Sequence, residues 1–280
     1  LPAGKNACPA DKNSVFFTIR AYNIGMGILY KTLTAVRTGA GCAFSLLLTP
    51  QYCISCGKES PYLPLCAGCR EELKAFLKES IETKDTRCKR CGRSLISEKE
   101  ICIECRETDT IAHLDGVFPL YPYVLWKKKL LFLWKIRGVR SLSPFFASLV
   151  YSVWKIHYPG IPLVPVPPRP GKIFREGRDQ IDELSRCLRG LYGLPVLKVL
   201  KRISSQQQKK LNRAERLART EKRYVLKTGR FLPQSFRNAP PEAAVLLDDI
   251  ITTGATLEIC AELLKKAGVK RVYAITLFSC

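Results

Sequence analysis

The chain is 280 residues long, 46% hydrophobic and 25% charged, and its 46 Lys and Arg against 24 Asp and Glu leave a net charge of +22 at pH 7. That length accommodates one sizeable α/β core and a smaller module. The best apolar run, residues 43–48, is far too short for a membrane span, and Arg20 and Asn23 interrupt the stretch around Phe16 and Phe17, so neither a spanning helix nor a secretory signal is expected.

A cytoplasmic protein is the expectation. Residues 1–49 form an N-terminal extension, and the only methionine is Met26, from which translation is expected to begin. Cys53, Cys56, Cys66, Cys69, Cys88, Cys91, Cys102 and Cys105 then fall into four C-x-x-C pairs, with nine residues between the first two pairs and ten between the last two. Each half supplies four thiolates, enough for one tetrahedral Zn²⁺ with no position left for water, so both metals should be structural. The halves also repeat: Cys56-Gly57-Lys58 matches Cys91-Gly92-Arg93, and Cys69-Arg70-Glu71 matches Cys105-Arg106-Glu107. Two tandem zinc ribbons over residues 50–108 are predicted, each a hairpin joining two knuckles, with Lys89, Arg90 and Arg93 offsetting the charge of the centre. A disulfide framework is the alternative. His113, His157, Cys8, Cys42, Cys187, Cys260 and Cys280 show no pairing pattern.

Residues 109–280 carry the α/β pattern. Trp126, Lys127, Lys128, Lys129, Leu130, Leu131, Phe132, Leu133, Trp134 and Lys135 read as an aromatic and basic helix, packed on the core or, on the second reading, on a membrane surface. Residues 161–166 read as a buried strand that ends in a rigid Pro167-Pro168-Arg169-Pro170-Gly171 loop. Arg169, Lys172, Arg175 and Arg178 are the cations in and after it. Gly171-Lys172 is no P-loop, since Ile173 stands where Ser or Thr is needed. Ile181, Leu184, Leu188 and Leu191 give a helical face, and residues 195–200 a further strand. A basic amphipathic helix is expected over 204–224, with Lys209, Lys210, Arg213, Arg216 and Arg219 as candidate nucleic-acid contacts. Between 111 and 244 there are 26 basic and 8 acidic side chains, whereas residues 51–110 and 245–280 are each balanced. Such an excess points to a polyanion larger than one sugar phosphate, and a merely solvated basic surface is the alternative.

Residues 245–257 are the most specific stretch. Val245, Leu246 and Leu247 form a strand, Asp248 and Asp249 leave its end on opposite sides, and Leu257, Cys260, Ala261 and Leu264 repeat at helical spacing until Gly268 stops the helix. Thr252, Thr253, Gly254, Ala255 and Thr256 therefore form a strand-to-helix turn. Its free amides, hydroxyls and helix dipole suit a phosphate, and the two carboxylates suit vicinal hydroxyls or a hydrated Mg²⁺.

This run resembles the phosphoribosyl pyrophosphate motif of type I phosphoribosyltransferases, which implies a parallel sheet flanked by helices. The resemblance assigns the 5-phosphate to residues 252–256 and the ribose hydroxyls to Asp248 and Asp249. In a parallel sheet the loop after 161–166 faces the same crevice and suits pyrophosphate. Together with the cysteine pairs, residues 50–280 resemble the ComF family, a double zinc ribbon followed by a phosphoribosyltransferase-like domain. Lys135 sits where that family has a lysine ahead of a glycine, here Gly138. Gln207 or Gln208, Leu211, Glu215 and Arg216 resemble its Gln…Leu…Glu-Arg stretch. Two features depart from it: Glu176-Gly177-Arg178-Asp179-Gln180 replaces Arg-Gly-Phe-Asn-Gln, and Arg219 replaces an asparagine. The resemblance implies Mg²⁺-phosphoribosyl pyrophosphate as ligand and a part in handling single-stranded DNA during natural transformation, alongside a competence helicase. Phosphoribosyl transfer is the enzymatic version, with Asp248 and Asp249 as its catalytic pair. A non-catalytic nucleic-acid-binding factor that senses the phosphosugar and a nucleobase-salvage enzyme are the alternatives.

Overall fold

The computed structural model describes residues 52–60, 64–82, 87–95, 99–107, 111–173, 177–203 and 223–280. The N-terminal extension with Met26, Arg175 and Glu176, and the basic stretch with Lys209, Lys210, Arg213, Arg216 and Arg219 lie outside the described residues.

Four parallel strands form the main sheet: β1 (Gly116–Pro122), β2 (Leu163–Pro165), β5 (Ala243–Ile251) and β6 (Arg271–Ser279), in the order β1-β6-β5-β2. Alternation along β5 sends Val245 and Leu247 to one face and Ala244 and Leu246 to the other, all fully buried, as expected of a sheet covered on both sides. One face packs α1 (Ala67–Glu82), α3 (Leu125–Lys135), α4 (Leu142–His157) and α5 (Gln180–Tyr192). The other packs α6 (Gln234–Asn238), α7 (Ala255–Lys266) and an antiparallel hairpin of β3 (Leu200–Arg202) and β4 (Tyr224–Leu226). The short α2 (Ile103–Glu107) belongs to the cysteine-rich region. The chain is thus an α/β fold with a parallel sheet flanked by helices, preceded by two Cys₄ groups. No helix among the described residues is long and apolar enough to cross a membrane.

Local chemistry sets the element ends. Asp179 caps α5 by accepting from the Asp182 amide at 2.9 Å, and Gly193 closes it in the left-handed conformation at φ 66°. The helix over 126–135 is present, with Leu130, Leu131, Leu133 and Trp134 buried in the core, as the core-packing reading expects.

Two differences from the sequence reading matter. Residues 195–200 do not form a core strand. Pairing with β2 is confined to Leu163, which donates to Pro195 O and accepts from Leu197 N, both at 2.8 Å: Pro195 has no amide for the rung before and Pro165 none for the rung after. The chain then turns into the β3–β4 hairpin, and residues 204–222 lie between these two strands. Second, β5 runs on to Ile251, pairing Asp248 with Thr276 and Ile250 with Phe278. Asp248 and Asp249 therefore sit inside the strand rather than beyond it.

Each Cys₄ group is one knuckle followed by a helix start, where the sequence reading expected two knuckles on a hairpin. Cys66 and Cys69 stand at the beginning of α1, and Cys102 and Cys105 at the beginning of α2. The repeat holds in the backbone: Cys53 N donates to Lys58 O at 2.7 Å as Cys88 N does to Arg93 O at 2.8 Å, and Arg70 N and Arg106 N each donate to the first cysteine of the second pair at 3.1 Å. Both groups dock on the edge strand β1. The first does so through α1, where Leu73 O accepts from the Tyr121 hydroxyl at 2.9 Å. The second does so through Arg87, whose Nη1 donates to Pro119 O at 3.0 Å and to Gly92 O at 2.9 Å. A side chain thereby takes up one of the outward carbonyls of β1.

Candidate functional site

The eight paired thiols form two compact sets. In each, the ligand atoms of all four cysteines lie within 4.8 Å of one another. Cys56 Sγ and Cys66 Sγ are 3.6 Å apart, and Cys91 Sγ and Cys102 Sγ are 3.8 Å apart. Four sulfurs about 2.3 Å from a tetrahedral zinc stand about 3.8 Å from one another, whereas a disulfide needs about 2.05 Å. The donor sets thus fit zinc, and all eight cysteines are unbridged. In each set one thiol is eased towards thiolate. Burial opposes ionisation of Cys66, but the Cys69 amide and neighbouring thiols outweigh it and bring its pKa to about 7; for Cys88 the amides of Cys102, Cys91 and Arg90 do the same. The basic residues expected to offset the centre's charge have other engagements: Lys89 pairs with Glu100, Arg90 donates to Cys105 O and Arg93 donates to Cys280 O.

The second site lies where β5 gives way to α7. Gly254, at φ 77°, is the N-cap of α7 and is buried, while Thr252, Thr253 and Ala255 are exposed and Thr256 is half-buried. The left-handed φ at 254 favours glycine, and a Cβ there would also press on the Ile111 Cδ1 methyl at 2.9 Å. Thr253 Oγ1 accepts from Ala255 N at 3.4 Å. The opening amides of a twelve-residue helix thus face outward with two threonines beside them, a geometry that receives an anion.

The two carboxylates diverge to opposite faces of the sheet. Asp249 forms an ion pair with Lys135, from the end of α3. Asp248 accepts the Asp249 amide at 2.8 Å and lies on the α7 side, where, after burial, its charge further raises the pKa of the Cys260 thiol. Desolvation, reinforced by the Asp249 carboxylate, pushes Asp248 up to about 7 against the pull of the Asp249 amide and Lys135. Carboxylates are hard oxygen donors of the kind that suit Mg²⁺, and here they flank the sheet on opposite faces, so each faces a different side of the crevice.

The loop after β2 ends on the same side of the sheet. Of its cations, Arg169 is exposed. Lys172 is taken up at the start of α5, its Nζ donating to Asp179 Oδ2 at 2.8 Å and to Gln180 Oε1 at 2.6 Å. Arg178 lies flat against Gly138, where a Cβ would come within 2.2 Å of its Nη1. Gly138 has φ 73°, a left-handed conformation that favours glycine, and any Cβ there would displace the Arg178 guanidinium. Gln180 Nε2 donates back to Lys135 O at 2.9 Å. The structure thus brings Lys135, Asp249, Gln180, Lys172 and Asp179 into one network at the carboxyl end of the sheet.

Sequence reasoning noted Lys135 and Gly138 only through the family pattern and did not place them at the crevice. It also missed Glu258, in the first turn of α7, whose Oε1 accepts from Ala112 N at 3.0 Å and His113 N at 2.7 Å. An acidic residue in the first turn of α7 was the available signal.

No family model matches the chain, and no curated protein matches it. Among solved structures it is similar to a hypoxanthine phosphoribosyltransferase from Staphylococcus aureus, at 17% identity and a TM-score of 0.30, over 50% of this chain and 64% of that one. It is also similar to a point mutant of the Trypanosoma cruzi hypoxanthine phosphoribosyltransferase in a ternary substrates complex, at 14% identity and a TM-score of 0.29, over 50% of this chain and 66% of that one. The chain spans a little under two thirds of the length of these proteins.

Proposed function

We propose that this chain binds phosphoribosyl pyrophosphate with Mg²⁺ at the β5–α7 crevice and serves, as a ComF-like protein, in handling single-stranded DNA during natural transformation. One observation carries the ligand assignment: a buried strand delivers two diverging carboxylates directly into an exposed Thr-Thr-Gly-Ala-Thr turn that opens a helix. In this reading the turn amides and hydroxyls hold the 5-phosphate, and Asp248 and Asp249 face the ribose hydroxyls. Bound Mg²⁺ would neutralise the pyrophosphate, with Asp248 and Asp249 as the carboxylates near it. Arg169, and Arg175 and Arg178 beside it in sequence, supply the cationic side, while Lys172 holds the start of α5 in place. Lys135 joins this set through Asp249. Were the site to catalyse transfer, the ribose C1 would lose pyrophosphate and gain an acceptor atom, and charge stabilisation of the leaving group would lower the barrier.

Calorimetry with Mg²⁺ and phosphoribosyl pyrophosphate tests the ligand. Saturable, Mg²⁺-dependent binding is expected, weakened at least about ten-fold in the Asp248→Asn/Asp249→Asn double variant, since charged hydrogen bonds contribute about 1.5–3 kcal/mol each. Undiminished binding in that variant removes both residues from the site. Pyrophosphate release on incubation with nucleobases separates an enzyme from a sensor.

The DNA role is supported by the basic excess between 111 and 244. If Lys209, Lys210, Arg213, Arg216 and Arg219 follow a single strand, log K falls against log salt by about 0.7 per phosphate contact. Neutralising three of them should flatten that slope by about two. An unchanged slope leaves this segment as a solvated face.

A further inference from the structure

The two Cys₄ groups stand differently towards the phosphosugar turn. From the second group, Arg93 Nη2 donates to Cys280 O at 2.8 Å, and Cys280 N donates to Ile251 O at 3.0 Å. Ile251 is the residue before Thr252, so this tie ends at the entrance of the turn. On the far side of the turn, the chain beyond the same group brings Ile111 over Gly254 and lays the amides of Ala112 and His113 on Glu258 Oε1. His113 Nδ1 closes on the same oxygen at 2.5 Å. Glu258 N in turn donates to Gly254 O at 2.9 Å. Both ends of residues 251–258 are thereby fastened to segments that flank Cys88, Cys91, Cys102 and Cys105. The first group packs through α1 into the cluster on the opposite face of the sheet.

We propose that Arg93 and Glu258 are positioning residues that hold the turn at residues 252–256 in place from the second Cys₄ group, so that metal bound by Cys88, Cys91, Cys102 and Cys105 orders the turn. The knuckle that aims Arg93 is held by short-range polar contacts, among them Cys88 N to Arg93 O, Gly92 N to Cys88 O and Lys89 N to Glu100 O, all at 2.8 Å, and its own apolar cluster is small, centred on Cys88, Cys102 and Cys105. In so small a unit the free energy of metal binding is the free energy of folding. Loss of the ion releases Arg93, so the turn loses its fastening at Ile251, whereas Ile111 and Leu114 stay in the core cluster and Asp115 stays bonded to Val272, which keeps the fastening at Glu258. The assignment of a phosphate to that turn rests on the proposed function; the ordering of the turn does not.

The test therefore reads two quantities in the full chain: hydrogen exchange of the amides at 252–257, and calorimetric affinity for phosphoribosyl pyrophosphate with Mg²⁺. Arg93→Ala should keep two zinc ions per chain yet speed exchange in the turn and weaken the ligand, each about five-fold for one hydrogen bond lost. Glu258→Ala should do the same, and Glu258→Gln, which keeps an oxygen for the two amides, should restore most of the loss. Cys88→Ser should drop one zinc and speed the turn by about as much as Arg93→Ala; should it fail to fold, the Arg93 and Glu258 variants still decide. Tyr121→Phe, which loosens the docking of the first group, should leave the turn unchanged. Wild-type exchange in Arg93→Ala and Glu258→Ala overturns the proposal, as does a Tyr121→Phe effect of equal size. A wild-type chain that binds no phosphoribosyl pyrophosphate while its turn responds as described would sink the phosphosugar reading and uphold the coupling.

Discussion

The two Cys₄ groups share a local grammar and almost the same backbone, yet they end in different places. The first runs into the sixteen-residue α1 and buries Leu65, Leu73 and Leu77 in the largest core cluster. The second runs into the five-residue α2, and its own cluster consists of three cysteines with Cys91, Leu95 and Ile101 packed against it. A C-x-x-C repeat thus specifies the knuckle, while the apolar spacing that follows decides what the knuckle is for. Leucines at helical spacing after Cys69 make the first group a piece of the core. Their absence after Cys105 leaves the second group as a bracket between the edge strand and the turn at residues 252–256.

Removing one ligand from each group should break the symmetry most visibly. Cys53→Ser and Cys88→Ser are each expected to lower metal content from two ions to one. Cys53→Ser should cost on the order of 5 kcal/mol in denaturant unfolding, because undocking α1 exposes three buried leucines at about 2 kcal/mol each. Cys88→Ser should cost about half as much. Equal losses would mean that the larger core cluster does not depend on the first group.

The glycines give the next largest contrast. Gly57 and Gly92 occupy matching positions at φ 77° and 71°. A Cβ on Gly57 would meet nothing within 4 Å, whereas one on Gly92 would meet Val117 O at 2.1 Å and Pro119 Cδ at 2.4 Å. Gly57→Ala should therefore cost about 1 kcal/mol, the penalty of the left-handed conformation alone. Gly92→Ala should cost about 3 kcal/mol, since rigid backbone must also move. Similar midpoints for the two variants would show that the second group is not seated against β1.

Much of this was legible in the sequence, for reasons that differ from one residue to the next. The pairing of the eight cysteines follows from spacing, and the β5–α7 unit follows from an apolar run that changes period from two to 3.6 at Gly254. The start of α5 was legible as a helical face from Ile181 onward, and its cap Asp179 is local chemistry. What the sequence hid was long-range. Lys172 looks like a loop cation because nothing local shows that Asp179 and Gln180 fold back to meet it. Lys135 and Asp249 are more than a hundred residues apart, so their ion pair exists only once α3 lies beside the end of β5. The 195–200 strand was misread because β-branched and apolar residues there satisfy a buried coil and a hairpin as well as a sheet, and the ladder is stopped from both strands, by Pro195 on one side and Pro165 on the other. The extent of β5 was missed because charged residues read as a strand end, although the ladder to β6 holds them within it.

The smallest effect separates the two sides of the molecule by charge. The first group docks through apolar side chains and a neutral hydrogen bond, whereas the crevice bordered by the ties of the second holds a carboxyl out of its ordinary range. Asp248 keeps its proton in the native chain up to about 7, while the unfolded chain releases it near the ordinary aspartate value of 3.8. Between those values the native state binds more protons than the unfolded state, so this residue makes stability fall as pH rises from about 4 to about 7, and its cost is complete above that. Asp248→Asn keeps an oxygen for the Asp249 amide and removes the buried charge. It should raise the unfolding midpoint at pH 8, on the order of 1 kcal/mol, and leave it unchanged below pH 4, where the wild-type carboxyl is protonated in both states. On the proposed function, Mg²⁺ should bind more tightly as pH rises through about 7, offsetting the wild-type deficit at pH 8 and doing less for the variant at the same pH. A variant whose gain is the same at pH 4 and pH 8 would show that Asp248 carries no trapped charge, and that the crevice is electrostatically as bland as the docking face of the first group.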